Sequence, residues 1–261
     1  MRRLALSAVC CSAFVPVAAL AVPAAAAPEK IDPFAEIKKS EPASRLLGLK
    51  IRPFAKEPQV QNGTALTITD RGEVYVCETY RFANGVEDNR RHTNWIMDDL
   101  AVKNLEERRA MLTKYAGDFA PGYFTAKADR VVRLVDRNGD GTADESGEFA
   151  GDFRDMVDGP AIGVLQGLNR NKDLYLTCSP KLWRLKDADG DGKAEAREVL
   201  LDGLGIRTSL SGHDLHGLVW GPDGMLYFSM GDRGYHFTTK EGVTFSSPDT
   251  GAAFRCRPDG T

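Results

Sequence analysis

The chain has 261 residues, 42% of them hydrophobic, with 34 basic against 37 acidic side chains. It is long enough for one or two cored domains, and its composition excludes a disordered protein. A net charge of −3 gives no electrostatic attraction to nucleic acid or to an anionic membrane, so neither is expected as a partner.

Arg2 and Arg3 precede an apolar run from Leu4 to Val22, which leads into the small residues Ala24 to Ala27. This layout predicts a secretory signal peptide over residues 1–27 and therefore an exported protein, periplasmic or extracellular. A retained membrane anchor is the alternative; Pro16, Pro23 and the A-x-A sites favour cleavage. Cys10 and Cys11 lack the small residue that a lipobox places before its cysteine. Cleavage would leave 32 basic against 37 acidic residues. It would also leave three cysteines, Cys77, Cys178 and Cys256, an odd number that is read as buried apolar side chains. No C-x-x-C-H occurs, so this chain carries no covalent haem site.

Residues 28–44 read as a polar linker, and Ile51 to Val60 carry the first strand-like residues. From Leu66 onward one pattern recurs: strand, polar turn, strand with a tyrosine, longer acidic turn. TITDRGEVYVCET around Tyr75, LNRNKDLYLTCSP around Tyr175 and VWGPDGMLYFSMGD around Tyr227 are three versions of one hairpin. A second repeat interleaves with it: VVRLVDRNGDGTADE from Val131 and LWRLKDADGDGKAEA from Leu182 place Asp136 and Asp187 51 residues apart. FRCRPDGT at the end opens a third copy. Two hairpins per roughly 50 residues make four strands per unit, the signature of a β-propeller blade. A sandwich of short strands fits the alternation equally, but the fixed period favours a propeller. About three blades are present over residues 45–261, too few to close a ring, which predicts a piece of a longer protein.

Between Tyr80 and Phe124 the pattern is interrupted. Thr93 or Asn94 is placed to cap a helix from Trp95 to Tyr115 that stops at Gly117, so a helical insertion is predicted at about 93–117 within one blade.

The stretch GHDLHGLVWGPDGMLYFSMGDRG, Gly212 to Gly234, holds the candidate chemistry. Pro222-Asp223-Gly224 is turn chemistry between two strands. Antiparallel pairing brings the ends of the hairpin to one side, so His213 or His216 would meet Asp232 as an imidazole held by a carboxylate, the arrangement of a general base. Hydrogen-bonded turn histidines without chemistry are the plainer reading. Arg233 is placed to contact an anionic cofactor group or to pair with a neighbouring carboxylate.

This hairpin resembles the catalytic-blade hairpin of the soluble quinoprotein glucose and sorbosone dehydrogenases, six-bladed propellers that use pyrroloquinoline quinone (PQQ). The match runs without a gap over about 20 residues and sets the family's catalytic histidine on His213 and its orienting aspartate on Asp232. With WIMDDLAVKNLEERRAM and DLYLTCSPKLWRLKDADGDGKAE, nearly the whole mature chain resembles the membrane-bound dehydrogenase propellers of planctomycetes. Those proteins are exported and often continue into C-x-x-C-H haem domains. The resemblance implies a six-bladed-type propeller in which His213 takes the hydroxyl proton of a sugar or alcohol as hydride passes to the quinone. It also implies a haem domain beyond these residues as a partner. One departure stands out: where the glucose dehydrogenases place a glutamine, DGPAIGVLQG has Pro160, and Gln166 fits only with a shifted register.

The acidic turn from Asp187 to Glu198 has the oxygen-ligand spacing of a calcium loop, with Asp187, Asp189, Asp191, Glu195 and Glu198 at positions 1, 3, 5, 9 and 12. Asp136, Asn138, Asp140 and Asp144 repeat it, with Gly147 in place of the last acid. Solvated hairpin turns need the same composition. The functional alternatives to a quinone-dependent dehydrogenase are a propeller module binding carbohydrate or protein, and a calcium-dependent lactonase-like hydrolase.

Overall fold

A computed structural model describes residues 51–168, 173–208 and 212–261. The predicted signal peptide and linker lie outside them. Thirteen strands and three α-helices are found among the described residues, and every ladder is antiparallel. No helix there is long and apolar enough to cross a membrane.

The first sheet is a meander of β1 (Gly63–Ile68), β2 (Val74–Glu78), β3 (Asp129–Val135) and β4 (Glu145–Phe153). The second repeats it with β5 (Ala161–Gln166), β6 (Leu174–Cys178), β7 (Lys181–Lys186) and β8 (Ala196–Asp202). The third has three strands, β9 (His216–Trp220), β10 (Leu226–Met230) and β13 (Ala252–Cys256). A hairpin of β11 (Tyr235–Thr238) and β12 (Thr244–Ser247) is inserted between the last two.

The repeat is visible side chain by side chain. Tyr75 pairs across the ladder with Arg133, Tyr175 with Arg184 and Tyr227 with Arg255. Each arginine also meets an acid that precedes its tyrosine: Arg133 meets Glu73, Arg184 meets Asp173 at 2.6 Å and Arg255 meets Asp223 at 3.3 Å. A bulge or register shift interrupts the first ladder of each sheet, giving the first strands the local twist that bulges produce.

The sheets stack face to face. Tyr75, Val131, Phe149 and Phe153 of the first sheet bury against Leu174, Leu176 and Leu185 of the second. Tyr175, Leu182, Leu200 and Leu201, on the second sheet's other face, bury against Leu215, Leu226, Phe228 and Phe237. The period-2 alternation along β6 therefore serves two cores. The first strands lie side by side, β1 by β5 and β5 by β9, linked by Thr64 Oγ1 to Ala161 O (2.8 Å) and Trp220 Nε1 to Gln166 O (2.7 Å).

Two local expectations are corrected. Ile51 to Val60 form no strand, since Pro53 and Pro58 each remove a ladder donor; Phe54, Ala55 and Val60 instead cover the outer face of the first sheet as irregular chain. The predicted single helix is broken into α1 (Ile96–Ala101) and α2 (Leu105–Tyr115), followed by α3 (Tyr123–Ala126). The break is set by an N-cap with a capping-box-like return bond: Asn104 Oδ1 accepts from Glu107 N (2.9 Å) and Glu107 Oε2 accepts from Lys103 N, just before the cap (2.8 Å), which starts a new helix where the old one would have continued.

An antiparallel meander sends alternate connections to opposite edges. The β1–β2 and β3–β4 turns, and their counterparts in the second sheet, share one edge. The β2–β3 insertion with its helices, the β4–β5 and β8–β9 links and the β11–β12 insertion share the other. The helical insertion is pinned to that edge by buried arginines. Arg81 donates to Phe124 O, Asp155 O and Asp158 O at 2.8–2.9 Å. Arg108 Nη1 donates to Gly205 O (3.0 Å), and Asp99 Oδ1 accepts from Thr208 N (2.7 Å).

Candidate functional site: a histidine–aspartate pair at one sheet edge

His213 precedes β9 and Asp232 follows β10, so the β9–β10 pairing places them together. The His213 Nδ1 to Asp232 Oδ1 distance is 2.6 Å. A carboxylate only accepts, so Nδ1 carries a proton, and in the neutral ring Nε2 keeps its lone pair. Both side chains are about half exposed, at 50% and 51%. Close backbone approach sets the pair: a Cβ on Gly231 would lie 2.7–2.9 Å from the carbonyl oxygen, Cβ and Cα of His213.

His216, the competing residue, opens β9 opposite Ser229. Its Nδ1 lies 2.6 Å from the backbone carbonyl of Asp214. It is oriented, but by a neutral acceptor that does less to stabilise an imidazolium than a carboxylate does.

Arg233 is placed beneath this pair instead of facing solvent. Its guanidinium is paired with Asp214, and it donates to Arg207 O from Nε (3.0 Å) and Nη2 (2.7 Å) and lies 3.3 Å from Ser179 Oγ. Both ends of the pair are at most 1% exposed. Arg108 is also buried; burial, followed by the nearby Arg233 charge, pushes its guanidinium down to about 9.

The acidic turn lies at the opposite edge. One ligand atom each from Asp187, Asp189, Asp191 and Glu195 fall within 4.8 Å of one another, a group able to hold a metal ion. Backbone amides hold the carboxylates: Gly192 N donates to Asp187 (3.2 Å), Asp191 N to Asp189 (3.0 Å), Lys193 N to Asp191 (2.8 Å) and Ala188 N to Glu195 (2.7 Å). Gly192 adopts φ +89° to allow the turn. Glu198 is outside the group. From Ala196 the chain runs on as β8 instead of a helix, and Glu198 pairs with Lys186 (3.2 Å) and Lys240 (3.4 Å). The turn at Asp136, Asn138, Asp140 and Asp144 carries the same bonds, from Gly141 N to Asp136 (2.7 Å) and Thr142 N to Asp140 (2.8 Å). It has an amide where the second turn has a carboxylate.

Gln166 sits at the far end of β5, bonded to Asp70 (3.0 Å), at the edge away from His213. A second imidazole–carboxylate pair, missed in the sequence, lies in the helical insertion. His92 Nε2 is 2.9 Å from Glu87, which also accepts from Tyr123. His92 stacks on Trp95 at 4.1 Å. Burial and the bond to Glu87 push Tyr123 up to about 12. No spacing rule marks this pair in advance, and its packing among aromatic rings reads as structural.

Fold and site together define an all-β protein of repeated antiparallel sheets that presents a histidine–aspartate pair at one edge and an acidic turn at the other. The chain belongs to the family described as a domain of unknown function (DUF7133), which matches residues 46–261. No curated protein matches it.

Proposed function

We propose that the three sheets are consecutive blades of a six-bladed-type propeller and that His213 is the proton acceptor for a hydroxyl-bearing small molecule, a sugar or an alcohol. The blade reading is supported by the four-strand meander, the Tyr–Arg–acid repeat and the side-by-side first strands. The single observation that carries the chemistry is the 2.6 Å bond from His213 Nδ1 to Asp232, which leaves Nε2 free at the open edge. In this reading Nε2 takes the hydroxyl proton, and Asp232 holds the tautomer and stabilises the imidazolium.

PQQ is the oxidant that the resemblance implies. Its carboxylates call for free cations, yet Arg233 is committed to Asp214 and to the Arg207 carbonyl. Arg233 is thus not available to the quinone, and no step is routed through it. Calcium at Asp187, Asp189, Asp191 and Glu195 is a structural proposal, since that turn lies at the edge away from His213. Export follows from the leader at residues 1–27. The half exposure of His213 and Asp232 favours one second reading, a module that binds carbohydrate or protein without turning it over.

The test is dye-linked oxidation of a sugar and alcohol panel, with PQQ and calcium supplied, alongside NMR of the imidazole signals. Turnover is expected to vanish in His213→Ala and to survive in His216→Ala. The reverse pattern sinks the assignment. Sugar-induced shifts at His213 with no dye reduction in any condition establish the binding module instead.

A further inference from the structure

Three arginines are buried among the described residues, Arg81, Arg108 and Arg233, and they are not bonded alike. Arg81 donates to three backbone carbonyls, and Arg233 is held by Asp214, Ser179 and the Arg207 carbonyl. Arg108, on α2, is 4% exposed and makes one hydrogen bond, from Nη1 to Gly205 O. A guanidinium carries five N–H donors. The buried Nε of Arg108 has no partner, and among the described residues no carboxylate reaches ion-pair distance of the group. The acid that acts on it most, Asp99, has its two oxygens bonded to Thr208 N (2.7 Å) and Asn89 Nδ2 (2.8 Å), while the Arg233 charge repels it. A buried cation with unfilled donors beside a second cation is costly until an acceptor completes its shell.

Arg108 lies on a seam. One wall is α1 and α2, and the other is the β8–β9 link from Gly205 to Thr208. The walls are joined by Arg108 to Gly205 O, by Arg207 Nη2 to Leu100 O (2.9 Å) and by Thr208 N to Asp99. The link adds two more buried atoms without a partner, Arg207 Nε and Thr208 Oγ1, the latter on a residue 4% exposed. Groups able to donate, on both walls of one seam, call for a ligand that accepts. Because Nη1 is the atom bonded to Gly205, the Nε–Nη2 edge of Arg108 remains, and that edge can hold an oxyanion by two parallel bonds. The enclosure of Arg108 and Thr208 limits such a ligand to a few atoms.

We propose that the seam between the helical insertion and the β8–β9 link binds a small monoanion, chloride or a carboxylate of the size of formate or acetate. Arg108 is its main donor, and Arg207 Nε and Thr208 Oγ1 stand on the facing wall. The bound anion fastens the insertion to the link that runs on to His213, so it orders that edge without touching a substrate. The site stands whether or not His213 carries out chemistry.

The probe is sodium formate or sodium chloride, added to the whole protein in place of sodium gluconate, which holds the ionic strength constant and is too large for an enclosed seam. The readouts are the Nε–H resonance of Arg108 by NMR, assigned through the bonds of its side chain, and the melting temperature. The resonance should move saturably with formate or chloride, and the melting temperature should rise over the same range. Arg108→Lys keeps the charge but loses the fork, and should weaken the response about tenfold. Formate acting at lower concentration than chloride assigns an organic acid; the reverse assigns chloride. The proposal is overturned if neither anion moves the Arg108 resonance at submolar concentration, or if Arg108→Lys responds as the wild type does. A cross-peak from the Nε proton to water, unchanged by either anion, overturns it in favour of buried water. If Arg108→Lys does not fold, the wild-type resonance decides alone.

Discussion

Asp214 and Arg233 form a buried ion pair directly beneath the exposed His213–Asp232 pair, each partner one residue along the chain from a member of the pair above. The two connections that meet at this edge are thus fastened twice, once inside and once at the surface. Removing one partner of a buried pair leaves an uncompensated charge, which costs about 3–5 kcal/mol. Arg233→Met should therefore lower stability by that amount in urea unfolding. The double variant Asp214→Leu/Arg233→Met should recover much of the loss. A loss in the double variant equal to the sum of the losses in Asp214→Leu and Arg233→Met alone would show that the pair is not coupled.

Gly231→Ala tests the geometry above it. The added Cβ would collide with His213 backbone and Cβ atoms, so the imidazole must move. Displacement of about 1 Å can cost roughly 100-fold in rate, and that loss of dye-linked turnover is expected. Gly224→Ala is the control: its φ is positive (+74°), unlike that of Gly231, but nothing lies within 4 Å of the added atom. It should cost about 1 kcal/mol of stability and leave turnover unchanged.

Calcium should stabilise the protein through the turn at Asp187. With a dissociation constant on the order of 10⁻⁴–10⁻³ M, as in extracellular modules, 10 mM calcium contributes about 1.4–2.7 kcal/mol. A rise in melting temperature is expected, lost in Asp189→Asn and in Asp191→Asn. Glu198→Gln should keep it, since Glu198 pairs with lysines outside the group. A rise unaffected by the aspartate changes would place the ion elsewhere.

The thiols should be silent in the native protein. Cys77, Cys178 and Cys256 are all buried, and burial pushes them up, Cys256 to about 12. The thiolate is the reactive form. A maleimide at pH 8 should label none of the three until denaturant is added. Raising the pH to 9 should change this little, because the thiolate form still lies well above that range.

The repeat was legible because Tyr75, Tyr175 and Tyr227 sit in turn-bounded strands, the last two 52 residues apart and the first two about twice that across the helical insertion, and short-range alternation is written in the sequence. So was the meeting of His213 or His216 with Asp232, which follows from pairing the two strands of one hairpin; the structure puts His213 there. The β11–β12 hairpin was not foreseen, although Tyr235–Thr238 and Thr244–Ser247 alternate around Gly242. The helix break was missed because Asn104 and Glu107 read as ordinary surface residues inside a longer periodic run. The burial of Arg233 had no local signal. Its partners come from two separate connections, Ser179 from the β6–β7 turn and Arg207 and Asp214 from the β8–β9 link, and only the packed sheets bring them to one place.

The alternation along β6 has a further consequence. Leu174 and Leu176 belong to one core and Tyr175 to the other, so the middle sheet cannot loosen toward one neighbour without disturbing its hold on the second. A repeat array whose units met only through separate surfaces would melt piecemeal. Here β6 and β7 each place side chains in both interfaces, which couples the three sheets as they unfold.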